Sequence, residues 1–254
     1  MTAPASPVPP YLQHLLSAAV LLGAWEVLAR RFDNPLLLPP VSAIGQALID
    51  LVVTGQLPSA LGESLQLLVL GLAAATIIGF VFGIVIARSR TAYWMLNPYF
   101  AALFVTPTVA LVPLVLVWFG FGLTGRVLVV VLAALVPVLF SVASGIRDAP
   151  GDLVDVARSF GVKGELALLR TVRLRAAIPV IMAGMRLAVG RAVVGMAIAE
   201  SYLRLGGIGG LIRDYGATFQ TAYVFAAILP LTLLGIGLAA VVGRIERHFQ
   251  WSRQ

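Results

Sequence analysis

Residues 150–161 read Pro-Gly-Asp-Leu-Val-Asp-Val-Ala-Arg-Ser-Phe-Gly, a polar stretch between two long apolar segments. The stretch predicts a short amphipathic helix with Asp152 as its N-cap and Gly161 as its left-handed C-terminal stop. Apolar side chains recur at the spacing i, i+3, i+4 and i+7, at Leu153, Val156, Ala157 and Phe160. Because a two-turn helix is marginal in isolation, it needs a surface to lie on.

Two kinds of surface suit such a helix. The lipid headgroup layer accepts an apolar helix face, and so does a groove on a partner protein. The residues of the helix do not decide between these two surfaces. The polar character extends through Lys163 and Arg170 to Arg175, so we treat residues 150–175 as one water-facing segment.

The composition of the chain is that of a membrane protein. Of its 254 residues 60% are hydrophobic and only 11% are charged, against about 25% in soluble domains. The net charge of +7 lies at the ends of apolar segments rather than in one patch, which argues against a nucleic-acid partner and for membrane lipid. The absence of cysteine excludes disulfides and thiolate metal sites.

The hydropathy pattern predicts an all-α polytopic membrane protein with about six transmembrane helices. Residues 1–10 are expected to be a disordered lead, and 11–254 a single transmembrane domain. The expected spans are Tyr11–Ala29, Leu65–Ala87, Thr91–Gly125, Val127–Ile146, a fifth after Pro179 and a sixth within Tyr215–Gly243.

Two regions depart from a simple span. Residues 91–125 are uncharged but too short for two crossings, so we expect one span bent near Pro107 and Pro113, with a loop around Gly120 and Gly122. Residues 31–62 contain four prolines and are not expected to cross the membrane. Within them, Ser42 is predicted to cap a short helix that ends near Val53.

The distribution of basic residues predicts the orientation. With the N-terminus in the cytoplasm, the inside segments hold eleven arginine and lysine residues and the outside segments hold five. Both termini and the 150–175 segment are therefore expected to be cytoplasmic.

Small residues recur every third or fourth position in three of the spans. The rows are Gly71, Ala75, Gly79, Gly83 and Ala87; Gly184, Ala188, Ala192, Gly195 and Ala199; and Gly235, Ala239 and Gly243. Such rows let helix backbones approach closely in lipid, so we expect close packing within the chain or between copies.

Groups that perform chemistry are missing. The sequence has no Gly-x4-Gly-Lys-Ser/Thr loop, no paired carboxylates and no Ser/His/Asp set, so we expect no cofactor, no metal and no catalytic residue. The glycines around Ile208 follow a membrane span rather than a strand, which favours a tight turn that leads into a short helix.

Several polar residues inside the spans are candidates for a solute pathway, since intramembrane ionisable groups are expensive. Arg191 is a candidate pore-lining group for anions, although snorkelling or a bond to backbone carbonyls also explains it and, still more, Arg186. Glu200 is consistent with a gate or with an interfacial position. Pro107 with Thr106 and Thr108 forms a second candidate lining, because a proline frees a carbonyl; a packing kink is the other interpretation.

The 150–175 segment resembles the cytoplasmic coupling loop of ABC-transporter permease subunits, whose pattern is Glu-Ala-Ala-x3-Gly-x9-Ile-x-Leu-Pro. Asp155, Val156 and Ala157 stand in the Glu-Ala-Ala positions, Arg158 and Phe160 lie in the x3 portion, and Gly161 follows. The second half departs twice: ten residues rather than nine separate Gly161 from Val172, and Arg175 replaces the proline. These departures leave the exact bend of the second coupling helix open, but not the identity of the loop.

The resemblance extends over nearly the whole chain. Four segments resemble the nitrate/sulfonate/taurine-type branch: Pro39–Ser42, Val105–Pro107, Pro113–Gly120 and Glu200–Gly209. It implies a bacterial plasma (inner) membrane protein, a permease homodimer, two cytoplasmic ATPase subunits and an extracytoplasmic solute-binding protein. It further implies that Asp155, Val156, Ala157, Arg158, Phe160 and Gly161 contact the ATPase.

The resemblance implies an ATP-driven importer of a small anion such as nitrate, a sulfonate, taurine or bicarbonate, although relatives also carry uncharged vitamins or their precursors. An ion-gradient-driven secondary transporter is the alternative. It is expected to use acidic relays or inverted repeats, and the spans offer only Glu26 and Glu200 and no clear repeat. A membrane enzyme is a third possibility that lacks catalytic groups.

Overall fold

A computed structural model describes residues 9–32, 34–202 and 206–251, and these are helical with no strand. In this part of the chain the helices are α1 Pro10–Phe32, α2 Val41–Val53, α3 Gln56–Arg88, α4 Arg90–Val105, α5 Thr108–Phe119, α6 Leu123–Arg147, α7 Gly151–Ser159, α8 Glu165–Leu168, α9 Leu174–Tyr202, α10 Gly207–Ala217 and α11 Thr221–Trp251. A π-helical turn, Leu169–Arg173, joins α8 to α9.

The prediction of an all-α polytopic membrane protein is confirmed. In the described residues α1, α3, α6, α11 and the segment from α8 through α9 are long and apolar enough to cross a membrane. The pair α4–α5 makes a sixth crossing when it is counted as one span, and it bends by 106°. The bend lies at Thr106 and Pro107, as expected, whereas Pro113 lies inside α5 and does not interrupt it.

Two expected boundaries were wrong. The fifth span begins before Pro179, which lies inside α9. Residues 31–62 do not all lie outside the spans, because α3 starts at Gln56 and accommodates Pro58 in its first turn. Of the lead expected to be disordered, residues 1–8 lie outside the described residues, and α1 begins at Pro10.

Ser42 is not the N-cap of α2, because that helix begins one residue earlier, at Val41. The Ser42 backbone N–H and hydroxyl instead donate to the Glu26 carboxylate of α1, at 3.1 and 2.8 Å. The Trp25 indole N–H donates to the Pro39 carbonyl at 3.0 Å. A carboxylate from a neighbouring helix therefore stabilises the positive end of α2 and ties α1 to it.

Helix α6 is the centre of the fold, with α3 on one side and α9 on the other. A Cβ built on Gly71 would lie 2.5 Å from the Val130 Cβ, and one built on Gly83 would lie 2.7 Å from the Val142 Cβ. On the other side, a Cβ on Gly195 would lie 2.7 Å from the Ala133 Cβ. The predicted close packing is confirmed for the glycines of these two rows, because a side chain there would separate the helices.

The same contacts give the direction of the chain. Gly71 and Gly83 meet Val130 and Val142 in the same order, so α3 and α6 run parallel. Gly195 meets Ala133 whereas Gly145 meets Ala177, so α9 runs antiparallel to α6. The 147–173 region and the end of α3 therefore lie at one end of the bundle, and α10 lies at the other.

We predict that Gly83→Val destabilises the protein by about 1–3 kcal/mol, because the new side chain meets Val142 and the Leu139 carbonyl. The measurement is thermal unfolding of the purified chain in detergent. Gly237→Val is the matched control, since Gly237 has no atom within 4 Å of a built Cβ. Equal unfolding temperatures for the two variants would contradict the close-packing account.

Candidate functional site

Helix α7 forms within the predicted stretch but begins at Gly151, so Asp152 lies in its first turn and the predicted Asp152 N-cap was wrong. At the other end Gly161 has φ +87°, and its N–H donates to the Arg158 carbonyl at 3.0 Å. The Val162 N–H donates to the Ala157 carbonyl at 3.0 Å. This pair of bonds is a Schellman motif, so the predicted left-handed stop at Gly161 is confirmed.

The apolar stripe of α7 points away from the rest of the chain. Leu153, Val156 and Phe160 are exposed, and Phe160 retains 85% of its accessible surface. Val154, outside the stripe, is the residue that α7 buries. The stripe therefore remains largely open in the described residues: its Leu153 end shares a small cavity with Val172 and Arg175, and Val154 makes the buried contact with the bundle.

Ion pairs tie α7 to the start of the long helix behind it. The Glu165 carboxylate lies 3.7 Å from the Arg158 guanidinium and 3.1 Å from that of Arg173. Arg158 also lies 3.7 Å from Asp155. These groups are partly exposed, so each pair is weak alone, but together they connect α7 to the π-helical turn.

The π-helical turn coincides with one of the two departures from the coupling-loop pattern. A π turn holds one more residue than an α turn, and such turns occur often at functional sites. The extra residue between Gly161 and Val172 can thus be accommodated at Leu169–Arg173 without a break before α9. Arg175, in place of the usual proline, continues the helix.

Two cavities lie along α9. The larger, of about 760 Å³, is lined by α4, α6 and α9 and includes Tyr93, Asn97, Phe104 and Arg147. The smaller, of about 410 Å³, includes Thr108, Arg186 and Arg191. Leu187 lines both, so the two cavities adjoin.

The candidate pathway residues occupy different positions. Arg191 lines the smaller cavity, with its guanidinium 4.7 Å from the centre of the Phe104 ring. Thr106 and Pro107 form the bend between α4 and α5, and Thr108 is the residue of this bend that lines the cavity. The role of Arg191, Thr106 and Pro107 in a pathway stays a prediction.

The sequence interpretation missed Phe104, Tyr93 and Arg147. Arg147 lies over the Tyr93 ring at 4.1 Å from its centre. The sequence alone does not show whether an aromatic residue in an apolar span lines a cavity or packs against a neighbouring helix. The pairing becomes visible only when α4 is placed against α6 and α9.

Arg186 differs from Arg191, since it donates to the Glu246 carboxylate of α11. The ion pair replaces the expected snorkelling or backbone bond. It also places the charge of Arg186 next to an opposite charge, whereas Arg191 is stacked on a ring.

Glu200 is fully buried in this conformation, with 0% exposure, and its role as a gate or at the membrane interface stays a prediction. The Ser64 hydroxyl of α3 donates to the Glu200 carboxylate at 2.7 Å, and the Gly209 N–H donates to it at 2.9 Å. The Ile208 N–H donates to the Ser64 oxygen at 2.9 Å. We call Ser64, Glu200, Ile208 and Gly209 the outer hub, after the orientation that the sequence predicts.

The contacts of the outer hub explain why residues 206–210 are rich in glycine. Gly206 and Gly207 have φ of +70° and +77°, which forms the tight turn that was expected before α10. Gly207 and Gly209 also leave room for the Glu200 side chain. Glu200 thereby satisfies the N-terminus of α10 and joins α3, α9 and α10, a role that its sequence position alone did not reveal.

We predict that Ser64→Ala destabilises the folded chain by about 1–3 kcal/mol, because it leaves the Ile208 N–H and one Glu200 contact unsatisfied in the interior. Thermal unfolding in detergent measures the effect. Ser59→Ala is the matched control, since Ser59 lies on the same helix and bonds only within its own turn. Should the two variants unfold at the same temperature, the outer hub has no structural role.

Comparison with known proteins identifies the family. Residues 79–251 match the family described as binding-protein-dependent transport system inner membrane component. A Bacillus subtilis (strain 168) permease named for aliphatic sulfonate transport is 30% identical over 93% of this chain and 86% of its own. The taurine transport system permease of Escherichia coli (strain K12) is 30% identical over 89% of this chain and 86% of its own.

The fold matches a solved structure as well. A chain of the MetNI methionine ABC transporter, solved in inward-facing conformations, superposes with a TM-score of 0.67. The match covers 78% of this chain and 97% of the other, at 16% sequence identity, and it supports the fold alone. The chain therefore belongs to the family of binding-protein-dependent transport system inner membrane components, in the nitrate/sulfonate/taurine-type branch, and is a multi-pass permease subunit of an ABC importer rather than an ion-driven carrier.

Proposed function

We propose that α7 couples this permease to a cytoplasmic ATPase subunit by placing its apolar stripe in a groove on that subunit. The single observation that carries the proposal is the exposure of Leu153, Val156 and Phe160 on a helix whose other side is held by Val154. Asp155, Ala157, Arg158 and Gly161 complete the contact segment. Gly161 ends the helix so that Phe160 stays at its tip.

The charge of α7 favours a protein groove over the lipid headgroup layer. Helices that lie on a membrane surface are rich in lysine and arginine on their polar face, because the cytoplasmic leaflet is anionic. Helix α7 carries Asp152 and Asp155 and only one basic residue, Arg158. An anionic surface would repel the two carboxylates, whereas a partner groove with basic residues at its rim would attract them.

The energy for transport comes from the partner in this proposal. The chain has no phosphate-binding Gly-x4-Gly-Lys-Ser/Thr loop, so ATP hydrolysis belongs to the ATPase subunits and the permease is not itself an enzyme. Closure of the ATPase pair would move the 150–175 segment, and α9 would follow because it is continuous with that segment through α8 and the π-helical turn.

We further propose that two copies of the chain enclose the solute pathway and that both termini are cytoplasmic. Helix α4 packs Tyr93 and Phe100 against the core but leaves Trp94, Met95 and Tyr99 exposed, so its outer face is open to a second copy. Arg191, with Thr106 and Pro107 at the nearby bend, then faces the pathway. The orientation rests on the excess of basic residues at the end of the bundle that carries α7.

The solute is proposed to be a small anion that an extracytoplasmic binding protein delivers. Support comes from relatives named for aliphatic sulfonates and for taurine. Arg191 lies in a cavity and has no carboxylate partner among the described residues, which is consistent with an anionic solute. Uptake of methanesulfonate and nitrate, compared with an uncharged vitamin precursor, tests the class of solute.

We predict that Phe160→Ser weakens binding of the ATPase roughly tenfold to a hundredfold, because burial of a phenylalanine contributes about 1.5–3 kcal/mol. Transport falls with it, while the permease still inserts and folds. The measurement is the affinity of the purified permease for its ATPase in nanodiscs, together with the rate of ATP hydrolysis.

Ser159→Ala is the matched control on the same helix, since the Ser159 hydroxyl bonds only to the Val156 carbonyl. It should bind the ATPase as the native chain does. Normal ATPase affinity and normal uptake in Phe160→Ser would remove α7 from the coupling interface.

A further inference from the structure

The two adjoining cavities hold two arginines in the same unusual setting. Arg191 lies over the Phe104 ring at 4.7 Å and Arg147 lies over the Tyr93 ring at 4.1 Å. Both rings belong to α4, and Phe104 and Tyr93 line the same cavity. The stacking orients each guanidinium while its N–H groups, which lie in the plane of the group, remain able to donate.

Neither arginine has a carboxylate partner among the residues that the structure describes. Ion pairs there involve Arg30, Arg158, Arg173, Arg186 and Arg213. Asp148, the next residue along the chain, lines the larger cavity beside Arg147. Since a guanidinium is always protonated, both groups place a positive charge in the cavities, and that of Arg147 is offset in part by Asp148 on the same cavity wall.

The positions of the two arginines along the bundle follow from the helix contacts. Gly184 meets Ser141 and Gly195 meets Ala133, so Arg191 lies level with about residue 136 of α6. Arg147 is eleven residues further along α6, which corresponds to about 16 Å along the axis. One small anion cannot contact both groups, so they are separate positions.

We propose that Arg191 and Arg147 are two successive binding positions for the anionic group of the solute along the groove between α4, α6 and α9. The proposal rests on the proposed function, since it assigns the residues of the pathway. Each position attracts an anion through one unpaired guanidinium and repels cations.

The setting of each position fits transient binding. Around Arg191 the lining is mostly apolar, with Ala133, Val194 and Ile198, so charge interactions there are weakly screened. Around Arg147 the amide of Asn97 adds a donor, and Asp148 adds a negative charge that limits affinity. Passage requires sites that bind an anion strongly enough for entry and weakly enough for exit, and two positions in series meet that need.

The test is chemical modification of the assembled importer in nanodiscs of neutral lipid. Phenylglyoxal labels accessible arginines, and peptide mass spectrometry measures the labelling rate at each one. Methanesulfonate is the anionic probe, and dimethyl sulfone is its uncharged isostere. We expect methanesulfonate to slow labelling of Arg191 and Arg147 by about tenfold, as a charge-assisted contact implies, and dimethyl sulfone to have no effect.

Variants separate the two positions. Arg191→Gln should abolish uptake of anionic solute, or reduce it at least about tenfold, while protection at Arg147 persists. Arg191→Lys should restore part of the uptake. Arg244→Gln is the control, since Arg244 is exposed near the end of α11 and lines neither cavity.

Three results would overturn the proposal. The first is equal protection by methanesulfonate and dimethyl sulfone, and the second is normal anion uptake by Arg191→Gln. The third is protection of Arg147 by phosphatidylglycerol in the nanodisc without added anion, which would make that position a lipid site. If protection fails while the permease still binds its ATPase, only this inference is lost; loss of ATPase binding by the native chain would refute the proposed function itself.

Discussion

The close approach of α6 to α3 and α9 is the constraint on which the rest of the structure depends. Lipid supplies little hydrophobic force between helices, so association rests on van der Waals contact over surfaces that fit. Gly71, Gly83 and Gly195 provide that fit, because their missing side chains let valines and alanines of α6 touch the neighbouring backbones. Helix α6 is accordingly the most buried of the candidate spans.

This packed core connects the two ends of the bundle, which carry different groups of residues. At one end, α7 presents a largely open apolar stripe and is tied through Glu165 to the turn that begins α9. At the other end, α9 finishes at Glu200, which joins α3 to α10. Helix α9 therefore runs without a break from the proposed coupling surface, past both cavities, to the outer hub. In the proposed mechanism, a displacement at α7 would reach all three regions through this helix.

Much of this architecture follows from the sequence in physical terms. Hydropathy and length identify the spans, and the glycine rows identify the faces that pack. Gly161 marks the end of α7 because a left-handed residue there needs no side chain. Local patterns failed at the starts of two helices. Glu26, which is distant in sequence, takes the place of the expected Ser42 cap of α2, and α7 starts without the expected Asp152 cap. Prolines were also given too much weight, since Pro113 and Pro179 lie inside helices.

The functional residues were harder to predict than the fold. Arg191 stood out because a charge in an apolar span is costly, but its partner Phe104 and the second stacked pair, Arg147 and Tyr93, have no local signature. Glu200 stood out for the same reason, yet its surroundings are those of a buried structural group. A charged residue in an apolar span can thus be identified from the sequence as important. Only the tertiary contacts show whether that residue lines a cavity or is buried in the protein interior.

The most direct test of the central claim, that α7 is the contact with the ATPase, is site-specific crosslinking in working membranes. The chain contains no cysteine, so single cysteines can be introduced without background. A photoactivatable label on Val156→Cys should form an adduct with the ATPase whose yield changes when ATP is bound, and the same label on the buried Val154→Cys should form little or none. Adducts of Val156→Cys with lipid alone would contradict the account, as would labelling of this position only from the outer face of the membrane.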